Sequence, residues 1–74
     1  MRYIKLPTKQ HADAYREKLQ QYHDETADQR PGQPKIVDCV VPTWDGQYAV
    51  TLEDEDLTAS EAVGLPQKIV RGKV

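Results

Sequence analysis

Three stretches of the 74-residue chain predict an α+β fold: a small, mainly antiparallel three-stranded sheet with one long helix on one face and a short C-terminal helix or strand. Residues 35–52 carry the turn dipeptide Asp45-Gly46 between two apolar runs, a strong short-range hairpin signal. Residues 2–6 alternate with a period of two, as a strand does. Residues 9–24 lack Gly and Pro, and Ala12, Tyr15, Leu19 and Tyr22 recur in them at helical spacing.

The first strand places Ile4 and Leu6 on one side and Tyr3 and Lys5 on the other, and Pro7 stops it because proline cannot donate to a ladder. Thr8 is then the expected N-cap of the long helix. The polar segment 25–33, with Arg30-Pro31-Gly32-Gln33-Pro34 at its end, reads as a loop leading back to the hairpin. A two-residue turn at Asp45-Gly46 pairs Trp44 with Gln47, Thr43 with Tyr48, Val41 with Val50 and Cys39 with Leu52. That register gathers Val37, Cys39, Val41, Tyr48, Val50 and Leu52 on a core face, so Cys39 is expected as a buried thiol. The opposite face receives Ile36, Asp38, Val40, Pro42, Trp44, Ala49, Thr51 and Glu53. Thr58 with Glu61 matches a capping box and Gly64 a helix stop, so a short helix is expected between them, preceded by the acidic run 53–56. Residues 67–70 are the candidate for a last short strand, and the first strand pairs with the third in the spatial order 2-3-1.

Length and composition limit the function. The chain is one small domain, residues 1–74, and its single cysteine excludes an internal disulfide. No apolar run of membrane-spanning length and no signal-like start occurs, so the expectation is a protein of a reducing compartment without membrane contact. Residues 36–66 hold seven acids and neither Lys nor Arg, whereas the flanks hold five acids and all ten bases. Charge so arranged suits internal pairing or a two-signed surface, and not direct nucleic-acid binding, which needs a basic excess on one face.

Candidate chemistry is sparse. His23, Asp24, Glu25 and Asp28 offer nitrogen and oxygen ligands, but neighbouring residues on a helix end point in different directions, so a solvated terminus is expected rather than a metal site. His11 lies more than three turns from His23. The acids at 53–56 lack the alternating ligands and the glycine of a calcium loop. No phosphate-cradling glycine loop and no nucleophile elbow is present. The expectation is a protein that is not an enzyme and takes no cofactor or metal.

The opening Met1-Arg2-Tyr3-Ile4-Lys5-Leu6, the polar helix, and the segment Trp44-Asp45-Gly46-Gln47-Tyr48-Ala49-Val50 resemble small uncharacterised proteins of tailed phages and prophages. The resemblance implies a setting in the bacterial cytoplasm or the virion, and a role exercised through contacts with a phage or host protein. Two functional readings follow. In the first, the chain is a structural or interaction module that binds a protein partner, or a second copy of itself, through Val40, Pro42, Trp44 and Ala49. In the second, Asp38, Asp45, Glu53, Asp54, Glu55, Asp56 and Glu61 form a phosphate-like acidic surface that occupies a nucleic-acid-binding protein of the host. Acids converging on one face at phosphate-like spacing favour the second reading, and acids scattered or paired with Lys68, Arg71 and Lys35 favour the first.

Overall fold

The structure, a computed structural model, describes residues 2–29, 35–66 and 68–73. It is an α+β fold, an antiparallel sheet with a long helix packed against it and a second, short helix. Strand β1 (Arg2–Leu6) leads into helix α1 (Lys9–Glu25), followed by a 3-10 turn (Ala27–Gln29). Strands β2 (Val41–Pro42) and β3 (Tyr48–Thr51) form the hairpin, helix α2 (Asp54–Ala62) follows, and β4 (Val70–Arg71) ends the order. The strands lie in the order β2-β3-β1-β4. The expected 2-3-1 arrangement is therefore present, and a fourth strand joins it on the free side of β1. Of residues 67–70, only Val70 lies in that strand, with Arg71 beside it, and Gln67 lies outside the described residues. The proline-rich residues 30–34 of the expected loop also lie outside them.

Pairing sorts the side chains, because directly opposed residues in an antiparallel ladder project to the same face. Ile4 faces Val50 and Leu6 faces Tyr48 across β1 and β3. This is the helix-covered face: Ile4, Val50 and Leu52 join Ala12, Tyr15 and Leu19 of α1, Val37, and Ala59 of α2 in one buried cluster. The stripe of α1 buries Ala12, Tyr15, Leu19 and His23. His23 thus takes the fully buried place expected for Tyr22, which packs only partly against the cluster. Thr8 caps α1 as expected: its backbone is extended and its Oγ1 accepts from the His11 N–H at 3.1 Å.

The hairpin register differs from the sequence expectation by one residue. Val41 pairs with Ala49 and Pro42 with Tyr48, and the Thr43 N–H donates to the Gln47 carbonyl at 2.8 Å. The loop is therefore three residues long, Trp44, Asp45 and Gly46, of the kind built from a β-turn followed by a left-handed glycine. The Gly46 N–H closes the turn on the Thr43 carbonyl, Gly46 sits at φ 86°, and Asp45 is not in the left-handed region. The physical reason is the Thr43 side chain, whose Oγ1 accepts from the Gln47 N–H at 3.0 Å and donates to Asp45.

The shift changes faces on the β2 side. Val40 packs against the core, Val41 turns to the other face, and Cys39 is exposed rather than a buried thiol. Val37 remains buried by a different route, since residues 35–40 carry no ladder. They are fastened to α1 by side chains instead. The Gln20 amide donates to the Lys35 carbonyl at 2.9 Å and accepts from the Val37 N–H at 2.9 Å, much as a neighbouring strand would. Arg16 donates to the carbonyls of Val37 at 2.7 Å and Asp38 at 2.9 Å.

Helix α2 begins earlier than the Thr58 box predicts. Glu53 is its N-cap, the acids Asp54, Glu55 and Asp56 form its first turn, and Thr58 instead donates back to the Asp54 carbonyl at 3.2 Å. Acids in a first turn suit the positive end of the helix dipole. The expected stop at Gly64 is present: at φ 71° its N–H bonds the Glu61 carbonyl, and the Leu65 N–H bonds that of Ser60, which together make a Schellman end.

Space around Gly46 is open, so a side chain there is opposed by backbone conformation alone. Gly46→Ala should lower the stability by about 1 kcal/mol, and Gly46→Asn by less, because asparagine tolerates the left-handed region. Urea unfolding followed by far-ultraviolet dichroism measures both, and equal midpoints for all three proteins would remove the left-handed turn.

Candidate protein-contact surface

The hairpin tip displays the largest apolar side chain in water. Trp44, the chain's one tryptophan, is 86% exposed, whereas Thr43 beside it is buried. The turn under the indole is held from two sides. Thr43 bonds it internally, and Lys5, reaching along the helix-free face of the sheet from β1, forms an ion pair with Asp45. The Lys5 and Thr43 hydrogen bonds hold the Asp45 carboxyl down at about 2, so it is ionised at neutral pH. Trp44 is therefore an exposed ring on a fixed support.

The other residues expected beside it do not all share a surface with it. Pro42 is exposed at the edge, with its nitrogen turned outward because Thr43 makes the ladder bond, a position that proline tolerates. Val40 lies half-buried against the core. Ala49 is fully buried on the opposite, helix-free face, between Lys5 of β1 and Val41 of β2. The face expected from Val40, Pro42, Trp44 and Ala49 is thus divided by the one-residue register shift.

Of the seven acids, Asp38, Glu53, Asp54 and Glu55 share one groove, and Asp45, Asp56 and Glu61 lie outside it. Glu53 pairs with Lys35, Asp54 with Arg2 and Asp45 with Lys5. Asp38 accepts from the Thr51 hydroxyl at 3.0 Å, and Glu61 is exposed on α2. Asp38, Glu53, Asp54 and Glu55, with Arg2 and Thr51, border an open groove of about 690 Å³.

Asp56 departs furthest from the expected acidic surface, and His23 from the expected solvated terminus. Their side chains are 2% and 1% exposed, and His23 Nε2 meets Asp56 Oδ1 at 2.8 Å. The other Asp56 oxygen accepts from the Glu53 N–H at 2.9 Å, so one carboxylate caps α2 and joins it to α1. The 33-residue separation left no local signal for this pair. A second buried bridge lies farther along the same seam. The Tyr15 hydroxyl donates to the Pro66 carbonyl at 2.9 Å and receives the Ser60 hydroxyl at 2.7 Å. Burial pushes the Tyr15 phenol up, which keeps it a donor.

Among the described residues, no group of three or more His, Cys, Asp or Glu side chains could hold a metal ion, and no helix is long and apolar enough to cross a membrane. Comparison with protein-family models, with curated proteins and with solved structures finds no match.

Two outcomes test this geometry. His23→Ala and Asp56→Ala should each cost about 3 kcal/mol or more, because each strands a buried partner, and the double variant should cost less than their sum. Urea unfolding of the four proteins of the cycle measures this, and strict additivity would separate the two residues. The second outcome is acid dependence of the tip. A carboxyl held low in the fold stabilises it above the unfolded value near 3.8 and loses that contribution as pH falls toward 2. Asp45→Asn should flatten the pH dependence of stability in that window, and Lys5→Met should move the Asp45 carboxyl, followed by NMR, back toward its ordinary value.

Proposed function

We propose that the chain is a small non-enzymatic contact module whose anchor is Trp44 at the hairpin tip. The observation that supports this is an indole 86% exposed on a turn fixed by Thr43, Asp45 and Lys5. Tryptophan dominates contact energies where it enters a pocket, and a turn whose backbone is already tied down loses little backbone freedom on binding. An indole left in water has no stabilising role in the isolated fold, so its support makes sense as preparation for a partner. In the setting that the phage-protein resemblance implies, the partner is a protein of the particle or of the host.

The acidic-mimic reading has less support. Asp38, Glu53, Asp54 and Glu55 do converge on one groove, but Arg2 lines it with them, Glu53, Asp54 and Asp45 are paired with the chain's own bases, and Asp56 is buried.

Trp44→Ala should leave the far-ultraviolet dichroism unchanged, because the ring covers nothing in the core. Bait comparisons from bacterial extract then test the reading. Wild type should retain a protein that Trp44→Ala loses, with the tryptophan emission of the wild type shifting to the blue on binding. Equal capture by both baits, or emission that stays that of a hydrated indole in the complex, would sink the proposal.

A further inference from the structure

Asp45-Gly46, exposed at the hairpin tip, is the only place in the chain where glycine follows aspartate. This pairing is the one at which a main chain most readily rearranges, because glycine has no Cβ to hinder the approach of its own nitrogen to the neighbouring carboxyl. The Gly46 nitrogen, having lost its proton, attacks Cγ of a neutral Asp45 carboxyl and forms a C–N bond. The C–O bond breaks, and the hydroxyl leaves as water with the proton that the nitrogen gave up. A second water opens the resulting five-membered succinimide. Opening at Cγ restores aspartate, whereas opening at the main-chain carbonyl carbon gives isoaspartate, with the chain now running through Cγ. Open space around Gly46 admits that water.

In the folded chain both reacting groups are held apart. The Lys5 ammonium donates to Asp45 Oδ2 and the Thr43 hydroxyl to Asp45 Oδ1, so Cγ is fixed by donors on both of its oxygens. The Gly46 N–H donates to the Thr43 carbonyl at 3.2 Å, which engages the proton that must be lost. To react, the carboxyl has to leave two donors and turn toward Gly46, while the N–H leaves its acceptor. Charge acts in the same direction, because a carboxylate resists attack by a nucleophile and both donors favour the carboxylate. Asp45 is held at about 2 against an ordinary 3.8, and the neutral fraction at neutral pH falls about tenfold for each unit by which a pKa drops. Lys5 lies forty residues from Asp45, so only the folded chain supplies it.

We infer that Asp45-Gly46 is a site of isoaspartate formation that folding closes through Lys5 and Thr43, and that opens when either side chain is withdrawn. The inference concerns the chemistry of the tip and is independent of what Trp44 binds. Its structural consequence is large for so small a loop. Rearrangement turns the carboxylate that Lys5 and Thr43 hold into a peptide carbonyl and adds a main-chain atom to the loop Trp44, Asp45 and Gly46. The ties that set the hairpin register at the tip are therefore consumed by the reaction, and the modified turn does not return to its original support.

Ageing of the full chain at neutral pH and body temperature tests this, with peptide mapping by mass spectrometry as the readout. Succinimide registers as the loss of one water, and isoaspartate as resistance at Asp45 to a protease that cuts before aspartate. Folded wild type should form the two products about tenfold more slowly, or slower still, than the same chain unfolded in guanidinium chloride. Lys5→Met and Thr43→Ala, each checked by far-ultraviolet dichroism, should form them several-fold faster than wild type. Thr43→Ser keeps the hydroxyl and should keep the wild-type rate. Lys9→Met removes an exposed ion pair with Asp13, away from the tip, and should also age as wild type does. Folded wild type that ages as fast as the unfolded chain would overturn the inference. So would a folded Lys5→Met or Thr43→Ala protein that ages no faster than wild type, or a Lys9→Met protein that ages as fast as Lys5→Met. Should Lys5→Met fail to fold, the contrast between Thr43→Ala and Thr43→Ser decides in the same way.

Discussion

Two buried polar bridges between the helices hold the C-terminal half of the molecule in place. Helix α2 buries Asp56, Ala59 and Ser60, and its Leu57 packs partly buried against the core. Its position depends on His23 meeting Asp56 and on Tyr15 meeting Ser60 and the Pro66 carbonyl. Hydrogen bonds are directional, and a buried polar group left without a partner costs about 1–3 kcal/mol, so these contacts fix both the axial position and the rotation of α2. Among the described residues every buried side-chain nitrogen and oxygen has a partner, which fits a seam specified by polarity. From that seam the chain continues through the Schellman end at Gly64 to Leu65 and Ile69, which pack against the core, and then to β4 beside β1.

The sheet is organised in a comparable way, with side chains acting where ladders stop. β2 pairs over only two residues, and the extended chain before it is held by Gln20 and Arg16 of α1 in place of a strand. Pro42 turns its nitrogen outward on that edge and so denies a donor to a passing strand. The edge beside the tip is thus poorly suited to growth by strand addition, and the exposed Trp44 stands out as its contact feature. The hairpin has short strands, and Lys5 and Asp45 tie the turn under that ring to β1.

Local signals in the sequence carried far. Alternation at Ile4 and Leu6, the helical stripe from Ala12 to Leu19, the Thr8 cap and the left-handed glycines at 46 and 64 all lie within a few residues of what they determine, and each occurs as expected. Strand order followed as well, because a helix between the first strand and a hairpin leaves few ways to cover both apolar faces. Trp44 was legible as an exposed ring, since the hairpin pattern placed it beside the turn on the face opposite the core. Its surface was not, because the hairpin register hinged on loop length. Asp45-Gly46 fits a two-residue loop as well as the last two places of a three-residue one.

That choice fell to contacts that no local pattern encodes. Thr43 and Asp45 close the longer loop with help from Lys5, forty residues away in sequence, and the shift this imposes exposes Cys39 and turns Val40 toward the core. Asp56 looked like one acid in a solvated run until α2 began at Asp54 and brought its carboxylate against His23. The sequence by itself determined which helices and strands form, the Thr8 cap, the Gly64 stop and the 2-3-1 order, because propensity, periodicity and turn chemistry act over a few residues. The tertiary structure alone decided the register and the burial of His23 and Asp56, because each depends on side chains that meet only after the helices and sheet have packed.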